Sequence, residues 1–208
     1  IPDTFTTTRS PLTSGARVYY RAFATNGEGT SYSPQGSFYT EPATQATGVN
    51  FTTVGSNAFT VNWTAGSGVG RLVVMRAGSA PAAPTDGVVY TASSTFGSGS
   101  PIGGDSYVVA TTGTSVSVTG LASDTTYHVA VYEYAGTVNN AGDDQGINYK
   151  PTPATGSQLT DTAAETQASN LTFATIAGQS IRMTWTRGSL DGVIVVMRES
   201  ATGIVAPT

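Results

Sequence analysis

Apolar and polar residues alternate along much of this chain with a period of two. The alternation is clearest over residues 58–64, 115–119 and 126–131. Since successive side chains of a strand point to opposite faces, each run predicts a strand with one buried and one solvated face. Two continuous apolar runs, Leu72–Met75 and residues 192–197, predict central strands covered on both faces. The pattern therefore predicts an all-β fold.

The sequence also contains a repeat with an offset of 122 residues. Residues 44–76 align with residues 166–198 without a gap, and fourteen of the 33 aligned positions are identical. The identities include Trp63 and Trp185, and the apolar positions keep their phase. This period predicts the C-terminal part of one domain over residues 1–40, a complete domain over 41–160, and the N-terminal part of a further domain over 161–208.

Two aromatic residues narrow the expected architecture. Trp63 lies on an early predicted strand and faces inwards by its phase. Tyr127 follows Leu121 by six residues and opens a late strand. At that place its ring can be buried while its hydroxyl reaches the backbone of the preceding corner. This combination resembles the fibronectin type III domain, which has a Trp on its second strand and a tyrosine corner before its sixth.

The resemblance covers nearly the whole chain and is closest to long bacterial variants found in tandem in large secreted and surface proteins. It implies immunoglobulin-like β-sandwiches in tandem, one complete and two partial. It also implies core positions for Trp63, Leu121, Tyr127 and Trp185. Two features depart from the pattern. The complete domain, residues 41–160, has about 20 more residues than a standard sandwich of roughly 100, and the excess lies between residues 77 and 105. In the first partial domain, Val18 occupies the position of the corner tyrosine.

Composition excludes several classes of protein. Only 11% of the residues are charged, the net charge is −4, and Lys150 is the single lysine, so the basic surface that nucleic-acid binding requires is missing. The chain has no cysteine, which excludes disulfides and thiolate metal sites. No apolar run approaches 18 residues, so no membrane span is expected. The chain begins at Ile1 without a signal peptide, and we expect a segment or a processed product.

Candidate catalytic groups are sparse. His128 is the only imidazole, and its phase places it on a solvated face, so no Ser-His-Asp arrangement is predicted. The glycine-rich stretch 66–70 precedes a strand rather than the helix that a phosphate loop needs, and it predicts a tight turn. We therefore expect neither enzymatic activity nor a cofactor.

The most polar loop of the chain, over residues 139–145, carries the candidate binding chemistry. Ca²⁺ prefers oxygen ligands, and the weak candidates for such ligands are Asn139, Asn140, Asp143 and Asp144. No bidentate Glu or EF-hand spacing accompanies them, so a solvated hairpin loop is the alternative. The aromatic residues that flank the loop suit stacking on sugar rings, or else form cross-strand pairs that stabilise the sheet edge; they are Tyr132, Tyr134 and Tyr149.

Together these patterns predict a non-catalytic spacer and interaction module of a larger secreted or surface-attached bacterial protein. Such a module presents other domains or mediates adhesion. The alternative is a carbohydrate-binding accessory module of an extracellular polysaccharide-degrading enzyme. The expected partners are neighbouring domains of the same polypeptide and an extracellular glycan or protein. An acidic surface rich in Thr and poor in Lys suits a location outside the cell.

Overall fold

A computed structural model describes residues 6–137, 146–178, 180–189, 192, 194–197 and 199. Every helix or strand in these residues is a β-strand, which confirms the predicted all-β class. No helix with the length and hydrophobicity needed to cross a membrane occurs in the described part of the chain. The chain divides into two compact units, Ile1–Thr162 and Ala163–Thr208.

The N-terminal region contributes four short strands, β1 (Arg17–Tyr20), β2 (Phe23–Asn26), β3 (Gly29–Tyr32) and β4 (Gly36–Tyr39). β1 pairs with β4 and β2 pairs with β3, both antiparallel. The central region contributes β5 (Thr47–Thr52), β6 (Ala58–Thr64), β7 (Gly70–Ala77), β8 (Pro101–Gly103), β9 (Ser106–Ala110), β10 (Ser115–Thr119), β11 (Thr126–Gly136), β12 (Ile147–Tyr149) and β13 (Ala154–Leu159). The second unit contains β14 (Ser169–Ala177) and β15 (Ser180–Thr186), which pair with each other.

The central strands form two facing sheets. One sheet has the order β10-β6-β5, and the other has the order β12-β11-β7-β9-β8, with β13 also paired to β11. The inward side chains of both sheets meet in one core cluster, which includes Phe59, Val61, Val73, Met75 and Val129. This arrangement is a fibronectin type III-like β-sandwich, and the predicted alternation of buried and solvated positions follows from it.

The tyrosine corner closes one end of this core. Tyr127 and Leu121 are buried, and the Tyr127 hydroxyl accepts a hydrogen bond of 2.9 Å from the backbone amide of Ala122. The Tyr127 ring packs edge-on against Phe96 and Phe59, with centroids 5.0 and 6.1 Å away. Tyr127 therefore holds both the inner face of β11 and the turn that precedes it.

The central strand β7 is covered on both faces, as its continuous apolar run predicts. Val73 and Met75 point into the core between the sheets. Leu72 and Val74 belong to a second group, the outer cluster, on the other face of the large sheet; its buried members are Leu72, Val74, Val108, Ala130, Tyr132, Ile147 and Tyr149. Partly buried Tyr90, Ala92 and Ile102 pack against this cluster. The extra residues between 77 and 105 thus cover a sheet face.

The sequence repeat recurs as a repeat of local geometry. In the central sandwich, the Thr44 amide donates a 2.8 Å hydrogen bond to the Ser67 hydroxyl. In the second unit, the Thr166 amide donates an equal bond to the Ser189 hydroxyl, at an offset of 122. The pairing of β14 with β15 also shifts register between Ser169 and Thr172, as the pairing of β5 with β6 does 122 residues earlier.

The prediction that Trp185 is a core residue is wrong. The Trp185 side chain is 40% exposed, whereas Trp63 is 4% exposed. Trp63 is buried because the large sheet packs against the sheet that carries it. In the second unit the described strands form only the two-stranded β14-β15 sheet, so the indole of Trp185 has no facing sheet there.

The N-terminal region reproduces the corner that follows the central core. The Thr160 hydroxyl donates to the Ala122 carbonyl at 2.7 Å, and the Thr40 hydroxyl donates to the Thr13 carbonyl at 2.6 Å. Gly15 and Asp124, at equivalent places in the two corners, both have left-handed φ values of 67° and 50°. Residues 6–40 therefore share their local geometry with β11, β13 and the turn before them. The predicted domain boundary at residue 40 stays a prediction, since both sides of it lie in one compact unit.

Candidate functional site

The edge expected to stack on sugars is packed into the protein. Tyr132 and Tyr149 are buried in the outer cluster, and the Tyr134 ring lies 5.6 Å from that of Tyr149. The Tyr149 hydroxyl donates to the Val88 carbonyl at 3.0 Å. The predicted sugar-stacking role is therefore corrected to a packing role for Tyr132 and Tyr149, whose rings are buried, whereas Tyr134 is only partly buried and packs beside them.

Burial also changes the acid–base chemistry of these phenols. Desolvation raises the pKa of Tyr149 far above its usual value of 10.0, and the neighbouring Tyr90, Tyr134 and Asp86 reinforce the shift. Desolvation likewise raises the pKa of Tyr132 and of Tyr134, although the Arg71 guanidinium partly offsets the rise for Tyr134. All three side chains consequently remain neutral at physiological pH and cannot act as bases there.

The glycine-rich turn over residues 66–70 binds a carboxylate of the same chain. Glu133 is fully buried, and its two carboxylate oxygens accept 2.9 Å hydrogen bonds from the amides of Gly66 and Gly68. Arg71 Nε adds a third bond of 3.1 Å to the same carboxylate. The amides of this turn are thus engaged with Glu133, as expected for a structural turn and not for a phosphate loop.

Gln45 connects three segments of the chain beside this network. Its side-chain oxygen accepts a 2.7 Å bond from the Glu133 amide, and its side-chain nitrogen donates to the Thr152 carbonyl at 2.6 Å. One side chain therefore ties the residues before β5 to β11 and to the residues before β13. Composition and period did not single out Gln45, although its repetition as Gln167 in the aligned segment is a signal that could have done so.

The predicted calcium ligands lie outside the described residues, since Asn139, Asn140, Asp143 and Asp144 fall in the gap between 137 and 146. Within the described ranges, no group of three or more His, Asp or Glu side chains could hold a metal ion. The sole imidazole, His128, lies on β11 opposite Arg76 and Ser157 of the neighbouring strands.

A contact that the sequence did not predict joins the N-terminal strands to the central sandwich. The Asn148 side-chain amide donates a 2.8 Å hydrogen bond to the Tyr39 carbonyl at the end of β4. Lys150 lies 3.7 Å from Glu41, and both of these side chains are partly exposed. Gly136 adopts a left-handed φ of 101°, and a Cβ there would stand 3.0 Å from the Tyr39 ring. We call these five residues, 39, 41, 136, 148 and 150, the junction.

The segment that connects the N-terminal strands to the central sandwich is anchored at the junction. Residues 39–43 cross the predicted boundary between the first partial domain and the complete domain. In the structure Tyr39 lies against β12 and the last residue of β11, and the segment is held by one partly buried amide bond and by the surface ion pair between Glu41 and Lys150. The ion pair alone contributes little because it is exposed to water. The hydrogen bond from Asn148 and the close approach of the Tyr39 ring to Gly136 accompany this ion pair.

Comparison with known proteins yields structural similarity only. No protein-family model matches the chain, and no curated protein matches its sequence. A computationally redesigned β-sandwich protein is similar at 18% identity and a TM-score of 0.39, over 58% of this chain and 98% of its own. A structure of titin domains is similar at 16% identity and a TM-score of 0.35, over 69% of this chain and 40% of its own.

A fibronectin type III domain of human collagen XX is similar at 20% identity and a TM-score of 0.30, over 53% of this chain and 93% of its own. The chain thus spans less than half of the titin structure that it matches.

Proposed function

We propose that this chain is a non-catalytic spacer and interaction module of a larger secreted or surface-attached bacterial protein. In that protein it presents neighbouring domains of the same polypeptide or mediates adhesion to an extracellular glycan or protein. Residues 1–40 and 161–208 are then parts of two further domains that flank the sandwich of residues 41–160. The low charge and the scarcity of lysine support a location outside the cell.

The observation that carries the proposal is the junction. A spacer transmits position only if successive segments keep a fixed orientation, and short anchored connections serve this purpose better than flexible ones. The 2.8 Å bond from Asn148 to Tyr39 and the contact of Tyr39 with Gly136 hold β4 against the central sandwich. The network around Glu133 consists of buried, satisfied hydrogen bonds, which also suits a structural role.

The competing role as a carbohydrate-binding accessory module finds no support at the edge formed by Tyr132, Tyr134 and Tyr149. Aromatic sugar platforms need an accessible ring face, and these rings pack on one another and on the outer cluster. Any glycan-binding surface on this chain therefore lies outside this edge.

The spacer role is tested by measuring a distance across the junction. The chain has no cysteine, so Ser31→Cys and Ser115→Cys place two specific spin labels, one on β3 and one on β10, at exposed positions. Pulsed electron–electron double resonance should give one narrow distribution of the distance between the two spin labels. The double variant Asn148→Ala with Lys150→Ala should broaden it, whereas Asn57→Ala, an exposed amide outside the junction, should not.

A broad distribution in the labelled but otherwise unchanged chain would overturn the stiff-spacer role, because the N-terminal strands would then move independently of the sandwich. An unchanged distribution in the double variant would show that the junction contacts do not provide the stiffness.

A further inference from the structure

The turn between β2 and β3 contains Asn26, the only asparagine of the chain that is followed by a glycine. Asn26 pairs with Gly29 at the end of this hairpin, so Gly27 and Glu28 form the turn between the two strands. Glycine has no Cβ to shield its nitrogen or to restrict its dihedral angles. The backbone nitrogen of Gly27 is therefore open to reaction with the side chain of Asn26.

The Asn26 side chain is held through its oxygen and not through its nitrogen. Oδ1 accepts hydrogen bonds from the amides of Glu28 and Gly29, at 2.9 and 3.2 Å. Nδ2 of Asn26 donates no hydrogen bond within the part of the chain that the structure describes. The side-chain nitrogens of four other asparagines do donate hydrogen bonds, those of Asn50, Asn62, Asn148 and Asn170. Asn26 thus differs from them in the atom that is engaged.

This arrangement suits attack of the Gly27 nitrogen on Cγ of Asn26. The attack places negative charge on Oδ1, and donors that already point at the atom where charge develops stabilise such an intermediate. The amides of Glu28 and Gly29 are these donors. The leaving group is Nδ2, which no hydrogen bond to a described residue retains. Because the reacting atoms belong to two adjacent residues, the reaction needs no contribution from any other segment.

We propose that Asn26 is a modification site, deamidated spontaneously through a cyclic imide. The Gly27 nitrogen loses its proton to water or hydroxide and bonds to Cγ of Asn26, and the bond between Cγ and Nδ2 breaks. Nδ2 takes up a proton and leaves as ammonia. Water then opens the imide at either carbonyl and leaves an aspartate or an isoaspartate at position 26. The sum is one water consumed and one ammonia released, without an oxidant or an enzyme.

Either product changes the hairpin permanently. A carboxylate at position 26 makes the chain one unit more negative than its net charge of −4, close to the carboxylate of Glu28. An isoaspartate also routes the backbone through the side chain and lengthens it by one carbon atom. That change falls at the pair Asn26–Gly29, where β2 and β3 meet the turn. The inference goes beyond the spacer role proposed above and does not depend on it.

The test incubates the full chain in a neutral and in a mildly alkaline buffer, followed by chymotryptic cleavage. Mass spectrometry and chromatography of the peptide over residues 24–32 then measure the products. We expect aspartate and isoaspartate forms to accumulate, faster in the alkaline buffer because hydroxide removes the proton of the Gly27 amide. Gly27→Ala should slow the conversion roughly tenfold. Asn57, which is exposed and followed by alanine, should stay intact over the same time.

The reference for the turn is a synthetic peptide of residues 24–32, in which no folded hairpin holds the amides at Oδ1. We expect conversion in the folded chain to be at least as fast as in this peptide. Much slower conversion in the chain would show that the turn protects Asn26 and would overturn the proposal. An equal rate in Gly27→Ala, or no product, would also overturn it. Gly27 lacks a left-handed φ and a Cβ there meets nothing within 4 Å, so an unchanged thermal midpoint should verify the fold of that variant.

Discussion

At the residue scale, the alternation of apolar and polar residues along the strands identified the interior of the central sandwich. Trp63 and Tyr127 fall on the buried side of alternating runs, and both are buried in the structure. The same reasoning failed for Tyr132 and Tyr149 because it assumed that the outer side of a strand is wet. On β11 both faces are covered, so alternation no longer separates buried from exposed positions.

The tyrosine corner predicts the effect of removing one oxygen atom. Tyr127→Phe keeps the ring in the core but removes the acceptor of the Ala122 amide. Because Ala122 is exposed and water can replace the lost bond, the free energy of unfolding should fall by about 1 kcal/mol, measured by urea denaturation. Tyr19→Phe, at an exposed ring, should be neutral; an equal loss in both variants would contradict a specific corner bond.

The buried phenols predict a stability that depends on alkaline pH. The pKa of Tyr149 is raised by burial above the usual 10.0, so the folded state binds its proton more tightly than the unfolded state. This contribution is fully present below pH 10 and is lost as pH rises above it. The free energy of unfolding should fall between about pH 10 and pH 12. Tyr149→Phe should flatten that decline, and an equally steep decline in this variant would refute the assignment.

At the scale of elements, the continuous run in β7 correctly indicated a strand buried on both faces. The segment that covers its outer face was not predicted, because residues 77–105 are rich in Ser, Gly, Ala and Pro and show no period. Their few apolar side chains pack only because the large sheet presents Leu72, Val74 and Tyr149 to them. The local sequence pattern predicts such a segment poorly because its conformation depends on tertiary contacts with the sheet.

The turn between β6 and β7 predicts a sharp difference between two glycines. A Cβ on Gly66 would stand 2.5 Å from the Thr44 carbonyl oxygen, so the backbone must shift. Gly66→Ala should therefore cost about 1–3 kcal/mol of unfolding free energy. Gly27→Ala, where a Cβ meets nothing within 4 Å, should stay within about 0.5 kcal/mol of the parent. Equal effects of the two changes would contradict the close approach described for Gly66.

At the scale of the whole molecule, the repeat was the most informative feature of the sequence. Its offset of 122 reappears in the Thr44–Ser67 and Thr166–Ser189 bonds. It misled where it carried a tertiary property. Trp185 inherits the strand position of Trp63 but lacks its facing sheet. The prediction of a covered central strand over residues 192–197 is also wrong, since residues 194–197 belong to no strand and are exposed. The junction could not be predicted from the sequence either, because Asn148 and Tyr39 are 109 residues apart and neither belongs to the repeated stretch.

The central claim is that residues 41–160 form one two-sheet sandwich closed around Trp63. The most direct measurement is acrylamide quenching of the Trp185→Phe variant, whose only indole is Trp63. Because Trp63 is 4% exposed and its Nε1 has no acceptor among the described residues, we predict blue-shifted emission. Quenching should stay weak and increase several-fold only on cooperative unfolding. Red-shifted emission with strong quenching in the folded protein would contradict the account.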